Sequence, residues 1–289
     1  MAGTTGATIV SDYASSIYSA IIEETALREL RGAMFMRPHF KVGGIQGNAL
    51  SFDFQLLNKF AATSIETNKT ETEVFTTVEQ TTTFRRATSG LAGSMSLVGD
   101  VVKAASNLDV MAEVSGQLSR AYQEEWETVA TANLANFSNT TTAAAGSLAY
   151  DDVLLAIAAL EQRDVTAGLC GGFHPKALAD VRTDAATRTS TLWARDNGPD
   201  AMQRHSREYW GDILDVPCYA STTVSSSAGN YQSAVFADVE ALGLVEKWGE
   251  RTELWRDARI IGTYVVLTGH FGMCEIDDQR GQTVLSSTS

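Results

Sequence analysis

The chain is poor in the residues that most single-chain chemistry uses. Its 289 residues include three cysteines, four prolines and four histidines. Cys170, Cys218 and Cys274 are far apart, odd in number and form no C-x-x-C pair, so buried free thiols in a reducing compartment are expected rather than a disulfide or metal framework. His39, His174, His205 and His270 are scattered, with no H-E-x-x-H or other paired ligand spacing, and each is expected to be a satisfied or exposed side chain. No window approaches the ~18 consecutive apolar residues that a membrane span needs. The opening MAGTTGATIVSDYASS has neither a basic start nor an apolar run, so no secretory leader is expected, and the protein is expected to be soluble and made in a cytoplasm. Basic charge is also short. With 22 Lys and Arg against 35 Asp and Glu, the net charge of -13 argues against a protein that grips nucleic acid through a basic face.

Catalytic signatures are missing too. There is no Walker loop and no dinucleotide fingerprint, and Gly93-Ser-Met-Ser-Leu97 lacks the closing glycine of a nucleophile elbow. Gly43-Gly44 and Gly171-Gly172 read as turn punctuation. Asp151-Asp152 and Asp277-Asp278 are adjacent carboxylates, which diverge on a helix or strand and do not make a metal pair. The expectation is a protein without catalytic residues, cofactor or metal.

What the chain does have is an apolar fraction of 44%, enough for a sizeable core in one or two domains. Its strongest signal is Ser106 to Phe137, where Leu108, Met111, Val114, Leu118, Tyr122, Trp126 and Val129 fall three or four apart on one helical face. Ser106 with Asp109 offers an N-terminal cap, and Gly116 is the only weak point. Such a helix would be roughly 45 Å long at about 1.5 Å per residue, and without further heptads it reads as a strut for other layers. Residues 1–11 are small and polar, an expected mobile arm, and Asp12 to Leu30 reads as an amphipathic helix in need of a docking surface.

Leu50 to Leu56 alternates strictly, as a half-buried strand does. From Thr63 to Thr88 the chain carries ten threonines and little that could fill a core beyond Val74, Val78 and Phe84. This stretch reads as a long polar hairpin, and because isolated two-stranded ribbons are marginal in water it is expected to lie on an adjacent subunit. Gly90–Gly99 reads as a glycine-spaced return, Ser138–Leu148 as a linker, Tyr150–Arg163 as a helix with Asp151 and Asp152 at its positive end, and Val165–Phe173 as a strand. His174-Pro175 opens a helix over 175–183, and residues 184–210 mix both charges without periodicity, as functional loops do. Asp215–Ser221 is a short strand, 234–248 and 259–276 are strand-rich, and the C-terminus trails off as polar residues.

The stretch Gly211-Asp-Ile-Leu-Asp-Val-Pro-Cys-Tyr-Ala-Ser221 resembles a recurrent G-x-ϕ-x-G-ϕ-P-ϕ element (ϕ apolar) of tailed-bacteriophage major capsid proteins, with Asp215 where a second glycine is common. Phe173-His-Pro-Lys-Ala-Leu-Ala-Asp-Val-Arg182 resembles the strand-then-helix step of the same family. Ala234 to Gly243, Trp255 to Ala258 and Tyr264 to Gly272 are similar to its closing segment. The resemblance implies an α+β, Hong Kong 97-type fold. Its parts would be an N-terminal arm over 1–40, an extended β-hairpin loop with flanking strands over 41–100, and a spine helix and linker of the peripheral domain over 101–149. An axial domain would follow over 150–235, then return strands over 236–289.

The resemblance further implies self-assembly into pentamers and hexamers of an icosahedral virion capsid, built in the host cytoplasm. Scaffolding and portal proteins, non-specifically held double-stranded DNA and a decoration protein are the implied partners, with no membrane. Lys69, Glu71, Glu73, Arg85 and Arg86 on the hairpin are then expected to contact an adjacent subunit. Arg188, Arg195, Asp196, Asp200, Arg204 and Arg207 are expected on the irregular loop near an axial contact. Some capsids of this family crosslink Lys to Asn. Lys59 and Lys69 lie in the corresponding region, but nothing in the sequence calls for that bond. An encapsulin-like nanocompartment shares the implied fold, and a soluble hydrolase is the remaining alternative.

Overall fold

The computed structural model describes residues 7–8, 35–45, 49–57, 64–67, 69–70, 73–105, 110–143, 146–165, 168–187, 209–213, 216–257 and 259–288. The expected arm helix at 12–30 and the mixed-charge loop over 188–208 therefore lie outside the described residues. The chain begins with β1 (Ala7–Thr8), a 3-10 turn at Arg37–His39, β2 (Lys41–Gly44) and β3 (Ser51–Leu57), then β4 (Thr82–Thr88) and β5 (Gly90–Gly99). The helices α1 (Asp100–Ala105) and α2 (Val110–Ala132) follow, and α2 closes in a 3-10 turn at Asn133–Ala135. Next come β6 (Thr140–Thr142), α3 (Tyr150–Glu161), β7 (Leu169–Phe173), α4 (Pro175–Thr187), β8 (Tyr209–Ile213) and β9 (Val216–Ala220). The chain ends through β10 (Ser226–Ser227), β11 (Asn230–Ala237), β12 (Leu242–Asp257), β13 (Gly262–Glu275) and β14 (Gly281–Ser287). Among the described residues, no helix is long and apolar enough to cross a membrane.

These strands form two large sheets and a ribbon. One sheet has five strands in the order β1-β5-β13-β12-β2, the second has β6-β14-β11-β7-β9-β8 with β10 beside β11, and β3 pairs only with β4. In the first sheet β13 runs antiparallel to both β5 and β12, and β1 lies parallel to β5 with Ala7 opposite Leu97. In the second, β11 is antiparallel to β14 and to β7, while β7 and β9 run parallel.

The long helix bridges them. Its described α-helical part has 23 residues, about 35 Å at 1.5 Å per residue, and the expected cap at Ser106 lies outside the described residues. The spacing that predicts one apolar face is realised as two contacts. Val110, Val114, Met111 and Leu118 pack with Val98 and Val265 of the five-stranded sheet and with Val102 of α1. Trp126 and Ala130, with Leu134 beyond the helix end, enter a cluster with Phe35, Met36, Phe40, Cys170, Phe236, Leu242, Leu244 and Phe271, which draws on both sheets. On the second sheet, α3 buries Val153, Ala156, Ile157 and Leu160, and α4 buries Ala177, Leu178 and Val181, both at helical spacing against Phe173, Cys218, Val235 and Val284. The start of α3 is fixed by carboxylates: Asp152 Oδ2 accepts from Ala149 N–H at 3.0 Å and Asp184 Oδ2 from Tyr150 N–H at 3.0 Å.

Four local expectations change. The C-terminus does not trail off, because β14 is an inner strand in which Gln282, Thr283, Val284 and Ser286 are buried. Its polar residues hid it, and two of them are bonded inside: Thr283 Oγ1 donates to the Leu134 carbonyl at 2.8 Å and Gln282 Nε2 to Thr141 Oγ1 at 3.0 Å, while Ser286 Oγ has no partner among the described residues. The presumed linker 138–148 contributes β6 and the fully buried Leu148. The two glycine pairs sit inside β2 and β7, not in turns. The Thr-rich stretch does not pair with itself: β4 is bound to β3, and the described residues from 64 to 81 make no ladder.

Trp126 is 1% exposed, packs edge-on to Phe40 with centroids 5.9 Å apart, and lies 6.3 Å from Phe271, while its indole N–H has no partner. Trp126→Ala is expected to cost about 3–5 kcal/mol, with Trp126→Phe well below that because no hydrogen bond is lost. Urea denaturation of the unassembled chain checks both.

Candidate assembly surfaces

The ribbon β3–β4 has a buried root and an exposed shaft. At the root Phe54 packs with Ala87, Val245 and Ile276, and Phe52 stands edge-on to it at 4.9 Å. Two glycines make the seat. A Cβ on Gly243 would fall 2.6 Å from the Phe54 ring, and one on Gly272 would fall 2.1 Å from the Thr88 carbonyl oxygen. Only a residue without a side chain lets β4 cross β13 so closely. Ser89 N–H then closes the root on the Leu50 carbonyl at 2.7 Å.

Along the shaft Asp53 lies directly opposite Arg86, and the guanidinium takes both carboxylate oxygens, Nε to Oδ1 at 2.6 Å and Nη2 to Oδ2 at 2.8 Å. Those hydrogen bonds hold the Asp53 carboxyl below its ordinary range. The pair's contribution is therefore fully present above the unfolded carboxyl pKa and lost as pH falls through the lowered value. Arg85 is exposed on the neighbouring position, and its charge acts on Glu275. In the loop beyond, Lys69 pairs with Glu66 at 2.8 Å and donates to the Val74 carbonyl at 3.2 Å. Glu73 Oε2 accepts from Thr70 N–H at 3.0 Å, and Glu66 also receives the Thr76 hydroxyl. Of the predicted contact residues, Lys69, Glu73 and Arg86 thus have partners within the chain. Glu71, Arg188, Arg195, Asp196, Asp200, Arg204 and Arg207 lie outside the described residues.

Apolar side chains accompany this polar scaffold without cover. Val74 is 88% and Phe84 61% exposed, and Ile65, Phe75 and Val78 are open as well. A second projection escaped the sequence reading. Leu242 to Val245 of β12 are buried, but from Gly249 to Arg256 every residue is exposed, and this outer half carries Leu254 at 65% and Trp255 at 54%, with Trp255 stacked on Tyr264 at 5.3 Å. Its signal was the Leu-Trp pair set in a charged strand, a composition that alternation alone does not separate from an ordinary surface strand.

Nucleophilic chemistry finds little support in the cysteines. Burial pushes the Cys170 and Cys218 thiols up, and that of Cys274 to about 11. One polar cluster lies inside: His39 Nδ1 is 2.8 Å from Asp238 Oδ1, and one ligating atom from each of His39, Cys170 and Asp238 lies within 4.8 Å of the others.

No family model matches the sequence, and no curated protein does. Solved structures do match. The capsid of the cyanophage P-SCSP1u aligns with a TM-score of 0.71 at 14% identity over 95% of this chain and 94% of that one. The mature capsid of bacteriophage PhiM1 aligns with a TM-score of 0.73 at 12% identity over 93% and 92%. The SrpI encapsulin of Synechococcus elongatus PCC 7942 aligns with a TM-score of 0.66 at 11% identity over 93% of each chain. The fold is the α+β, Hong Kong 97-type fold of tailed-phage capsid proteins.

Gly272→Ala is expected to lift the ribbon root, since the atom in the way is backbone and cannot rotate aside, at a cost of about 1–3 kcal/mol. Gly249→Ala, where an added Cβ meets nothing within 4 Å, is the control. Limited proteolysis should cut the ribbon faster in the first variant only.

Proposed function

We propose that this chain is a structural shell subunit, the major capsid protein of a tailed phage, which assembles with copies of itself into pentamers and hexamers around double-stranded DNA. The observation that carries the proposal is the ribbon. Among the described residues it has one buried seat, no ladder partner other than its own second strand, and a loop with uncovered Val74, Phe75 and Val78. A two-stranded element of this kind is marginal alone and becomes stable when a neighbour covers it. The fold, common to proteins that form closed shells, supplies the context.

In this proposal the elements over 150–235 form the axial unit, α2 is the spine, and the ribbon is the extended loop that lies on the adjacent subunit. Lys69, Glu71, Glu73, Arg85 and Arg86 then serve that contact, either directly or by shaping the loop through the internal pairs Lys69–Glu66 and Arg86–Asp53. Arg188, Arg195, Asp196, Asp200, Arg204 and Arg207 serve the axial contact. Head-to-tail contacts of one surface with a different one close into rings at the right rotation. Individually weak contacts suffice, because each subunit makes many. The net charge of -13 lets DNA be held without tight phosphate contacts. Assembly in the host cytoplasm with scaffolding and portal proteins, a decoration protein outside and no catalytic activity complete the reading.

Replacing residues 64–81 by a short Gly-Ser linker leaves the β3–β4 ladder closed and removes the uncovered loop. Light scattering and negative-stain microscopy should then find isolated subunits or capsomers where the intact chain forms shells. Normal shells from the shortened chain would refute the role of the loop. The encapsulin-like alternative is favoured by the SrpI match and differs in cargo. Nuclease-treated particles from infected or producing cells should protect DNA if the shell is a virion, and packaged protein without DNA would favour the compartment.

A further inference from the structure

The cluster around His39 shares none of its three residues with the ribbon β3–β4. It is assembled from three distant stretches. Cys170 on β7 sits opposite Phe236 on β11, and Asp238 follows two positions on, so the sheet ladder brings the thiol and the carboxylate to one side. His39 arrives from the 3-10 turn at Arg37–His39, and its carbonyl accepts from Val239 N–H at 3.0 Å, which fixes the turn beside the same β11 end. Tyr219 flanks the imidazole at 5.0 Å and Phe236 meets it edge-on at 6.4 Å.

The imidazole turns Nδ1 to Asp238 Oδ1 at 2.8 Å, which sets a nitrogen and an oxygen donor side by side. His39 is 7% exposed, whereas the Asp238 side chain is 39% exposed and opens the cluster to solvent on one side. Nitrogen, sulfur and oxygen donors meet in one place, together with an entry route.

We propose that His39, Cys170 and Asp238 bind one divalent ion of the zinc class. The donor set selects the ion: thiolate and imidazole suit zinc and its neighbours, and disfavour calcium and magnesium, which take oxygen. Tetrahedral coordination at 2.0–2.3 Å places donor atoms roughly 3.5 Å apart. The three ligating atoms lie within 4.8 Å of one another, so movements of about an ångström close the site, and a water fills the fourth position on the Asp238 side. Binding replaces the thiol proton of Cys170, which leaves to solvent, by a sulfur–metal bond, and the imidazole takes its Nε2–H tautomer so that Nδ1 is free to coordinate. The ion would clamp the segment 35–40, where the N-terminal part of the chain joins the body, to β7 and β11.

Cobalt(II) alone is the probe, added to the purified full chain. One equivalent per chain should bind, with a thiolate-to-cobalt charge-transfer band in the near ultraviolet that zinc abolishes by displacement. Cys170→Ser should remove the band and Cys274→Ser should keep it. Asp238→Asn, nearly isosteric and partly exposed, should weaken cobalt at least tenfold if Cys170→Ser does not fold. The proposal is overturned if the intact chain gives no such band, if the band survives Cys170→Ser, or if Asp238→Asn binds as tightly as the intact chain.

Discussion

One packing contact holds the rest of the fold in place: the crossing of α2 with both sheets at Trp126. The indole meets Phe40 from the segment before β2 and Phe271 from β13, and the cluster continues through Leu134 to Phe236 and Cys170 of the other sheet. Two sheets of different strand order have no ladder in common. Their relative placement rests on side-chain packing around α2 and on the two short connections β11–β12 and β13–β14, which meet where Ile276 N–H donates to the Ala241 carbonyl at 2.8 Å. Interiors packed at crystalline density transmit displacement rather than absorb it. A shift at Trp126 would thus move the root of the ribbon, which sits on the same β12–β13 hairpin through Val245 and Ile276.

The distribution of burial follows from that hub. β12 is buried over its first four residues and exposed over most of its outer half, and among the described residues of β3 and β4 only Phe54 and Ala87 are buried. Hydrophobic side chains along such projections do not repay the entropy of ordering them unless another surface removes them from water. The internal pairs of the loop, Glu66 with Lys69 and Thr76, set its shape, but they are exposed and leave Val74 and Phe75 uncovered. Charge pairing shapes the projection, and in the proposed shell apolar contact with a neighbour would stabilise it.

Much of this was legible where local physics decides the outcome. The apolar stripe from Met111 to Val129 foretold which side of α2 is buried, and the alternation at 50–56 foretold β3, observed at 51–57. The Thr-rich stretch announced a polar projection without a core of its own. Its pairing was misread, because register between β3 and β4 is set across a long intervening loop that propensity does not see. β14 was missed for a related reason. Gln282, Thr283 and Ser286 look like surface residues, and only the Leu134 carbonyl and Thr141, both far away in sequence, make the first two fit an interior strand. The cluster of His39, Cys170 and Asp238 had no spacing to detect, since a turn, a strand and a strand end meet there only once the second sheet has formed.

The same non-local logic bears on assembly. In the proposed assembly, a core packed around Trp126 would present the projections already oriented, so that they lose less entropy on contact. Glycine at 243 and 272 fixes the angle at which the ribbon leaves the body, because both seat it against atoms that a Cβ would displace. An angle fixed at the root and an uncovered apolar tip are the two properties that a heterologous contact needs if it is to close into a ring instead of running on as a filament. Rigidity at the seat therefore matters as much for closure as the stickiness of the loop. Of the two, the seat is the part that the chain builds unaided.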